Sequence, residues 1–131
     1  MSLPSAYTWL AKEPGPRMLL AALALYGVAE AAGPKNNPVI MAWAEEIGLE
    51  REYTADSIPW CGLGMAVCAK RADWPFPAKP LWALNWSAWG VNAGQPELGD
   101  ILTFVRPGGG HVGLYVGEDF DTSKGAADGY Y

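Results

Sequence analysis

The sequence predicts a single α+β domain, with helices in its first part and an antiparallel sheet in its last part. Apolar residues recur at helical spacing in three segments before Pro80. Two β-rich runs follow Gly90, and a proline–glycine turn separates them. The chain has 131 residues, half of them hydrophobic, which is the usual size of one domain and enough to bury a core. We therefore expect residues 1–131 to form one domain without internal repeats.

The first part of the chain is expected to be an irregular leader followed by a helix. Residues 1–16 hold three prolines and one glycine, which is typical of loops. A helix is predicted from Arg17 onward, because apolar residues recur at helical spacing and Pro16 suits the first helical turn. Gly33 followed by Pro34 is a strong stop signal.

A second helix is predicted from about Pro38 to Ile47. Asn37 can cap its start, and Gly48 can end it. Its apolar residues form a stripe suited to packing on a core, namely Ile40, Met41, Trp43, Ala44 and Ile47.

A third helix is expected to begin near Pro59, with Asp56 or Ser57 as its cap. Residues 60–69 are small and apolar on most sides, as in a buried helix. A further short helix is predicted over residues 80–89.

The last part of the chain is predicted to form a β-hairpin. Ile101–Val105 and His111–Val116 are β-rich, and Pro107–Gly110 can form the tight reversal between them. Residues 119–131 are polar and contain glycine, so we expect a loop-like tail.

Charge and hydropathy exclude two classes of partner. The net charge is −5, and no basic patch of the kind that nucleic-acid binding needs is present. The apolar run from Met18 to Ala32 contains Glu30 and, at about fifteen residues, is too short to cross a bilayer. Met1–Glu13 lacks the basic region of a signal peptide, so we expect synthesis in the cytoplasm.

The two cysteines do not predict a disulfide or a metal site. If Cys61 and Cys68 lie on one helix, they are roughly 10 Å apart, which is beyond disulfide reach. Two cysteines and one histidine, without a C-x-x-C motif, fall short of the four ligands of a structural zinc site. We predict no metal and no cofactor. Cys68 is expected to be part of the core.

Cys61 and His111 are the candidate catalytic residues. Cys61 is predicted to lie in the first turn of the third helix, where free N–H groups and the helix dipole favour thiolate over thiol. The backbone N–H of Cys61 could also stabilise an oxyanion, and Gly62 would let a substrate approach the backbone. His111, the one histidine, could accept the thiol proton and later protonate a leaving amine. The alternative is a buried cysteine that packs as a small hydrophobic residue and a histidine in a surface turn.

Four runs carry a resemblance to a known family: Pro59-Trp60-Cys61, Trp89-Gly90, Gly99-Asp100-Ile101-Leu102-Thr103-Phe104 and Gly110-His111-Val112-Gly113-Leu114-Tyr115-Val116-Gly117. In this order they resemble the NlpC-type cell-wall cysteine peptidases, and more narrowly a phage- and prophage-borne branch of that papain-like superfamily. Asn36-Asn37-Pro38-Val39-Ile40 and Asp56 also fit that branch. The resemblance covers about residues 17–118.

The resemblance implies a papain-like core in which the helix with the cysteine packs on a sheet whose strand carries the histidine. The implied activity is hydrolysis of amide bonds in peptidoglycan stem peptides. Members of the branch continue into a further strand with a polar third residue that orients the histidine. No Asn, Gln or His follows His111 here, so we expect a truncated chain with an incomplete triad.

Several functions and contacts remain open at this point. The enzyme could be a phage lysin or an injected antibacterial effector that reaches the cell wall after release. The alternatives are an inactive cell-wall-binding or tail-associated module and a cytosolic thiol protein with no cell-wall role. Trp60 and Asp56 are candidate substrate contacts, although Asp56 could cap the helix and Trp60 could pack in the core. Trp82, Trp86 and Trp89 could line a groove or pack in the core. We expect a monomer, or association through an open sheet edge if the chain is truncated.

Overall fold

The computed structural model describes residues 5–12, 15–32, 35–91 and 94–117, and within them it shows an α+β arrangement of helices and a small antiparallel sheet. The expected tail over 119–131 lies outside the described residues. The elements, in chain order, are a 3₁₀ helix Ser5–Lys12, α1 Arg17–Ala24, α2 Pro38–Glu46, α3 Cys61–Arg71, a second 3₁₀ helix Ala83–Ala88, β1 Ile101–Arg106 and β2 Gly109–Leu114.

Helix α3 forms the centre of the core. It contacts α1, α2, β2 and the second 3₁₀ helix. Its buried residues are mostly small, which lets these elements approach its backbone closely; they are Gly62, Leu63, Met65, Ala66, Val67, Cys68 and Ala69. The prediction of a buried third helix is confirmed, and this helix begins at Cys61 itself.

Helix α2 begins and ends as its sequence predicts. The side chain of Asn37 accepts a hydrogen bond from the N–H of Val39 at 2.8 Å, and Pro38 occupies the first turn. Gly48 follows the helix with a φ of +77°, which a glycine adopts without steric cost. Ile40, Trp43 and Ala44 bury the apolar face.

The predictions for the first part of the chain need two corrections. Helix α1 ends at Ala24 and does not continue toward Gly33, because Gly27 adopts a left-handed φ of +94° and the backbone from Leu25 onward forms tight turns. The segment expected to be an irregular leader contains a 3₁₀ helix, Ser5–Lys12, whose Leu10 is buried. Burial of this apolar side chain gives the leader a tertiary contact that its prolines did not predict.

Asp56 does not cap α3. The helix has Trp60 at its N-cap position and no side-chain cap. The carboxylate of Asp56 is buried and accepts hydrogen bonds from the N–H groups of Ala31 at 2.6 Å and Asn37 at 2.8 Å. The N–H of Asp56 in turn donates to Asn36 Oδ1 at 3.0 Å. Asp56 therefore joins the loop before α3 to the segment before α2, and this contact was not predictable from local cap signals.

The hairpin forms over the predicted segment. β1 and β2 pair antiparallel, with Phe104 opposite His111 and Arg106 opposite Gly109. Pro107 and Gly108 make the two-residue turn, and Gly108 has a φ of +82°, as the third residue of a type II turn requires. β2 ends at Leu114, although Tyr115 continues the pairing through hydrogen bonds with the backbone of Gly99 and Asp100.

The short helix predicted over residues 80–89 is a 3₁₀ helix, Ala83–Ala88. It contacts both strands of the hairpin and also α3, which itself contacts β2. None of the helices in the described ranges has the length and apolar character needed to cross a membrane.

Candidate active site

Cys61 opens into a cavity at the N-terminal end of α3. Its side chain is half-buried, and it is one of the residues that line a cavity of about 830 Å³. The loop before α3, the segment before the second 3₁₀ helix and the hairpin turn supply the other walls; they include Ile58, Pro59, Lys79, Leu81, Trp82 and residues 106–110. The predicted nucleophile is therefore accessible to a ligand of the size of a short peptide.

Free backbone donors lie at this end of the helix. Within the part of the chain that the structure describes, the N–H groups of Cys61, Gly62 and Leu63 have no acceptor. Gly62 and Leu63 are buried, whereas Cys61 lines the cavity. Of the three, the Cys61 N–H is thus the donor at the cavity, where the oxyanion of a tetrahedral intermediate on the Cys61 sulfur would form.

Gly62 has a different role from the one its sequence predicts. A Cβ at this position would overlap the carbonyl oxygen of Pro80 and lie 3.0 Å from that of Leu81. The missing side chain lets the segment before the second 3₁₀ helix pack against α3. The close approach is made by the protein's own backbone, and Gly62 leaves no room for a substrate.

The imidazole of His111 lies on the outer face of the hairpin. Val112 and Leu114 are buried in the core, and side chains alternate along a strand, so His111 points away from α3. The ring stacks on Phe104 with centroids 6.1 Å apart. Gly110 lines the cavity and His111 does not. The structure thus brings Cys61 and the residue before His111 to one cavity and directs the imidazole elsewhere.

The surroundings of His111 favour the neutral form of its ring by lowering its pKa. Partial burial is the main cause that lowers the pKa of His111, and the positive charge of Arg106 lowers it further. A neutral imidazole can accept a proton, which is the property that a general base needs.

Three charged residues also line the cavity, namely Glu52, Lys79 and Arg106. They were not among the site residues predicted from the sequence. Arg106 ends β1 directly before the turn that leads to His111. This position in the predicted hairpin could have indicated that it lies near the candidate site. Lys79 and Glu52 gave no such signal, because only tertiary packing brings their segments to Cys61.

Cys68 is enclosed by the core. Its side chain is 2% exposed, and burial raises the pKa of its thiol to about 11. The structure therefore places it among the apolar residues of α3, in agreement with the sequence prediction.

Trp60 and Asp56, the two candidate substrate contacts, both contact other parts of the protein. Trp60 packs on Trp43 with ring centroids 5.9 Å apart, and it does not line the cavity. The carboxylate of Asp56 is 2% exposed and is occupied by its two backbone donors. Both residues therefore make structural contacts beside the start of α3, and their role as substrate contacts stays a prediction.

The three tryptophans near the second 3₁₀ helix differ in their surroundings. Trp86 is buried and donates a hydrogen bond from Nε1 to the carbonyl of Pro80 at 2.9 Å. Trp89 is half-buried and donates to the carbonyl of Pro75 at 2.9 Å. Trp82 is 72% exposed and lines the Cys61 cavity. Of the three, Trp82 is the one positioned to contact a ligand beside Cys61.

Comparisons with protein-family models, with curated proteins and with solved structures give no match to this chain. Among the described residues, no group of three His, Cys, Asp or Glu side chains could hold a metal ion.

Proposed function

We propose that this chain is a cysteine hydrolase that cuts amide bonds in bacterial cell-wall stem peptides, with a papain-like relation between its cysteine helix and its hairpin. The observation that carries the proposal is the position of Cys61 as the first residue of a buried helix that opens into a cavity. A thiol in that position combines access with the field of the helix N-terminus.

The reaction proceeds through a thioester. The Cys61 thiolate attacks the amide carbonyl carbon, and the Cys61 N–H stabilises the oxyanion. The C–N bond then breaks, the amine leaves with the proton that the imidazole took from the thiol, and the acyl group stays on sulfur. Water attacks the thioester with the imidazole as base, which releases a carboxylate and restores the thiol.

His111 is the proposed base because it is the chain's one histidine and follows the cavity-lining Gly110. The imidazole lies on the outer face of β2 and stacks on Phe104, so a turn of the ring alone cannot bring it to the Cys61 sulfur. This role therefore requires the hairpin to rearrange when substrate binds, and a substrate complex in which His111 stays on Phe104 would contradict it.

The proposed setting is a phage lysin or an injected effector that acts on the cell wall after release. The test is incubation of purified peptidoglycan with the protein, followed by mass analysis of the soluble fragments. We expect new fragments that carry a free amine and a free carboxyl group, and we expect none with Cys61→Ala. Cys68→Ala is the matched control, because it removes a thiol from the same helix without altering the cavity.

A second candidate is a cell-wall-binding module without catalysis, and the position of the His111 ring on Phe104 favours it. In that case wild type and Cys61→Ala would bind sedimented peptidoglycan equally well and release no fragments. The same incubation thus separates the two functions.

A further inference from the structure

The cavity beside Cys61 carries positive charge in a chain whose net charge is −5. Lys79 and Arg106 both line it, and Glu52 is the acidic residue that lines it with them. In residues 5–12, 15–32, 35–91 and 94–117, neither cation forms a salt bridge with a carboxylate. Among the residues that the structure describes, two cations outside any salt bridge thus share a cavity with the proposed nucleophile.

The backbone fixes the position of Lys79. Its φ is +52°, a conformation that is uncommon for a residue with a side chain. Its carbonyl accepts a hydrogen bond from Asn85 Nδ2 at 3.0 Å, and the next residue, Pro80, packs its carbonyl against Gly62. Lys79 therefore directly precedes the residue whose carbonyl packs against the first turn of α3.

Arg106 reaches the cavity from another element. It is the last residue of β1, opposite Gly109, and the Pro107–Gly108 turn follows it. Its guanidinium can bind a carboxylate through two parallel hydrogen bonds, whereas the ammonium of Lys79 acts as a compact point charge. Both groups can bind an anionic group, and both residues line the cavity that Cys61 lines.

We propose that Lys79 and Arg106 bind a carboxylate of the substrate peptide beside the scissile amide, so that the enzyme selects stem peptides with a free carboxyl group over those whose carboxyl group is amidated. This inference rests on the proposed hydrolase function. Glu52 strengthens the selection, because it disfavours an anionic group elsewhere in the same cavity.

The test uses two synthetic stem peptides that differ only in one side-chain or α-carboxyl group, which is free in one and a carboxamide in the other. For wild type we expect a kcat/KM at least roughly tenfold higher for the free acid, since a hydrogen bond to a charged group contributes on that order. Lys79→Gln and Arg106→Gln should each remove most of this preference by raising KM for the acid, with little change for the amide. Lys79→Arg and Arg106→Lys should restore part of it.

Lys35→Gln is the matched control, because it removes one positive charge from an exposed residue outside the cavity. It should leave the acid-to-amide ratio unchanged. Equal kcat/KM values for both peptides in wild type, or a preference that both glutamine variants retain, would overturn the inference while leaving the hydrolase function intact.

A binding measurement separates failure of this inference from failure of the proposed function. Calorimetry with Cys61→Ala should show tighter binding of the free-acid peptide, and Lys79→Gln in that background should abolish the difference. If wild type cuts neither peptide but this binding preference is observed, the hydrolase proposal fails and the carboxylate site remains. If Cys61→Ala binds both peptides equally, the carboxylate site is excluded.

Discussion

Cys61 and Cys68 lie on the same helix, yet they differ in burial and in access from the cavity. Cys61 is half-buried at the first residue of α3 and faces a cavity with two cations. Cys68 is enclosed by core residues, and burial raises the pKa of its thiol to about 11. The comparison shows that helix position and access, not residue type, separate a candidate nucleophile from a packing residue.

The largest expected difference between the two cysteines is in alkylation. At neutral pH a thiol with a pKa of about 11 is ionised in about one molecule in 10⁴, and the core also shields Cys68. We expect iodoacetamide to modify Cys61 at least about 100-fold faster than Cys68. Peptide mapping by mass spectrometry over time measures both rates in one sample.

The control is the same reaction in denaturant, where the core no longer shields Cys68 and both cysteines should react at similar rates. Faster labelling of Cys68 than of Cys61 in the native protein would reverse the assignment of the two residues.

A second prediction concerns the loop that leads into α3. Asp56→Ala leaves the N–H groups of Ala31 and Asn37 without their acceptor, and one of the two bonds is only 2.6 Å long. We expect a loss of about 2–4 kcal/mol in the free energy of unfolding, from two unsatisfied donors in a partly buried site. Urea unfolding measures this loss.

Asp56→Asn retains one carbonyl oxygen as an acceptor and should lose less stability than the alanine variant. Glu50→Ala is the surface control, because Glu50 is exposed and forms no salt bridge within the described residues. If Asp56→Ala were as stable as Glu50→Ala, the buried carboxylate would not be what holds the start of α3.

Sequence patterns found the parts of this molecule that depend on local chemistry. The Asn37 cap, the Pro107–Gly108 turn and the buried stripe of α3 each follow from neighbouring residues, and the structure has all three. The early end of α1 was missed, because the Gly33 stop signal concealed the weaker break at Gly27.

The surroundings of the candidate site were less predictable, because they depend on contacts between residues far apart in the sequence. Asp56 finds its donors 25 and 19 residues away. Lys79 lines the same cavity as Cys61, and the segment that carries it packs on α3 because Gly62 admits the backbone of Pro80. Such contacts depend on how elements pack, which no local signal records. The strand of His111 was predicted, but the face on which the ring lies depends on which of two alternating sets is buried.

Gly62 and Gly64 lie on the same helix as the two cysteines, and alanine at these two positions should have opposite effects on stability. A Cβ at Gly62 would overlap backbone atoms of Pro80 and Leu81, whereas a Cβ at Gly64 meets nothing within 4 Å. We expect Gly62→Ala to lose about 1–3 kcal/mol, because the opposing backbone has to shift. Gly64→Ala should gain up to about 1 kcal/mol from helix propensity.

Urea unfolding of the two variants checks this prediction, and the sign of the change is the decisive result. Gly62→Ala should also reduce hydrolysis more than Gly64→Ala does, because the displaced segment carries Lys79. Equal stability of the two variants would show that the approach of Pro80 to α3 is not tight.

The smallest expected effect lies on the hairpin side of the cavity, where Arg106 lowers the pKa of His111 in addition to the larger effect of partial burial. Arg106→Gln removes that positive charge and should raise the pKa of His111, without bringing it fully to its ordinary value because burial remains. A pH titration of the imidazole proton signals by NMR measures the shift, and Lys35→Gln serves as the control for a distant charge.

The lowered pKa of His111 also makes the stability of the protein depend on pH. A histidine whose pKa is lowered by folding binds fewer protons in the native state, so its site is most favourable above the unfolded value near 6.5 and loses stability as the pH falls through it. Arg106→Gln should therefore make unfolding less sensitive to mild acid than it is in wild type. An unchanged or lowered pKa in this variant would show that Arg106 does not act on the imidazole, and that the hairpin side of the cavity is electrostatically separate from His111.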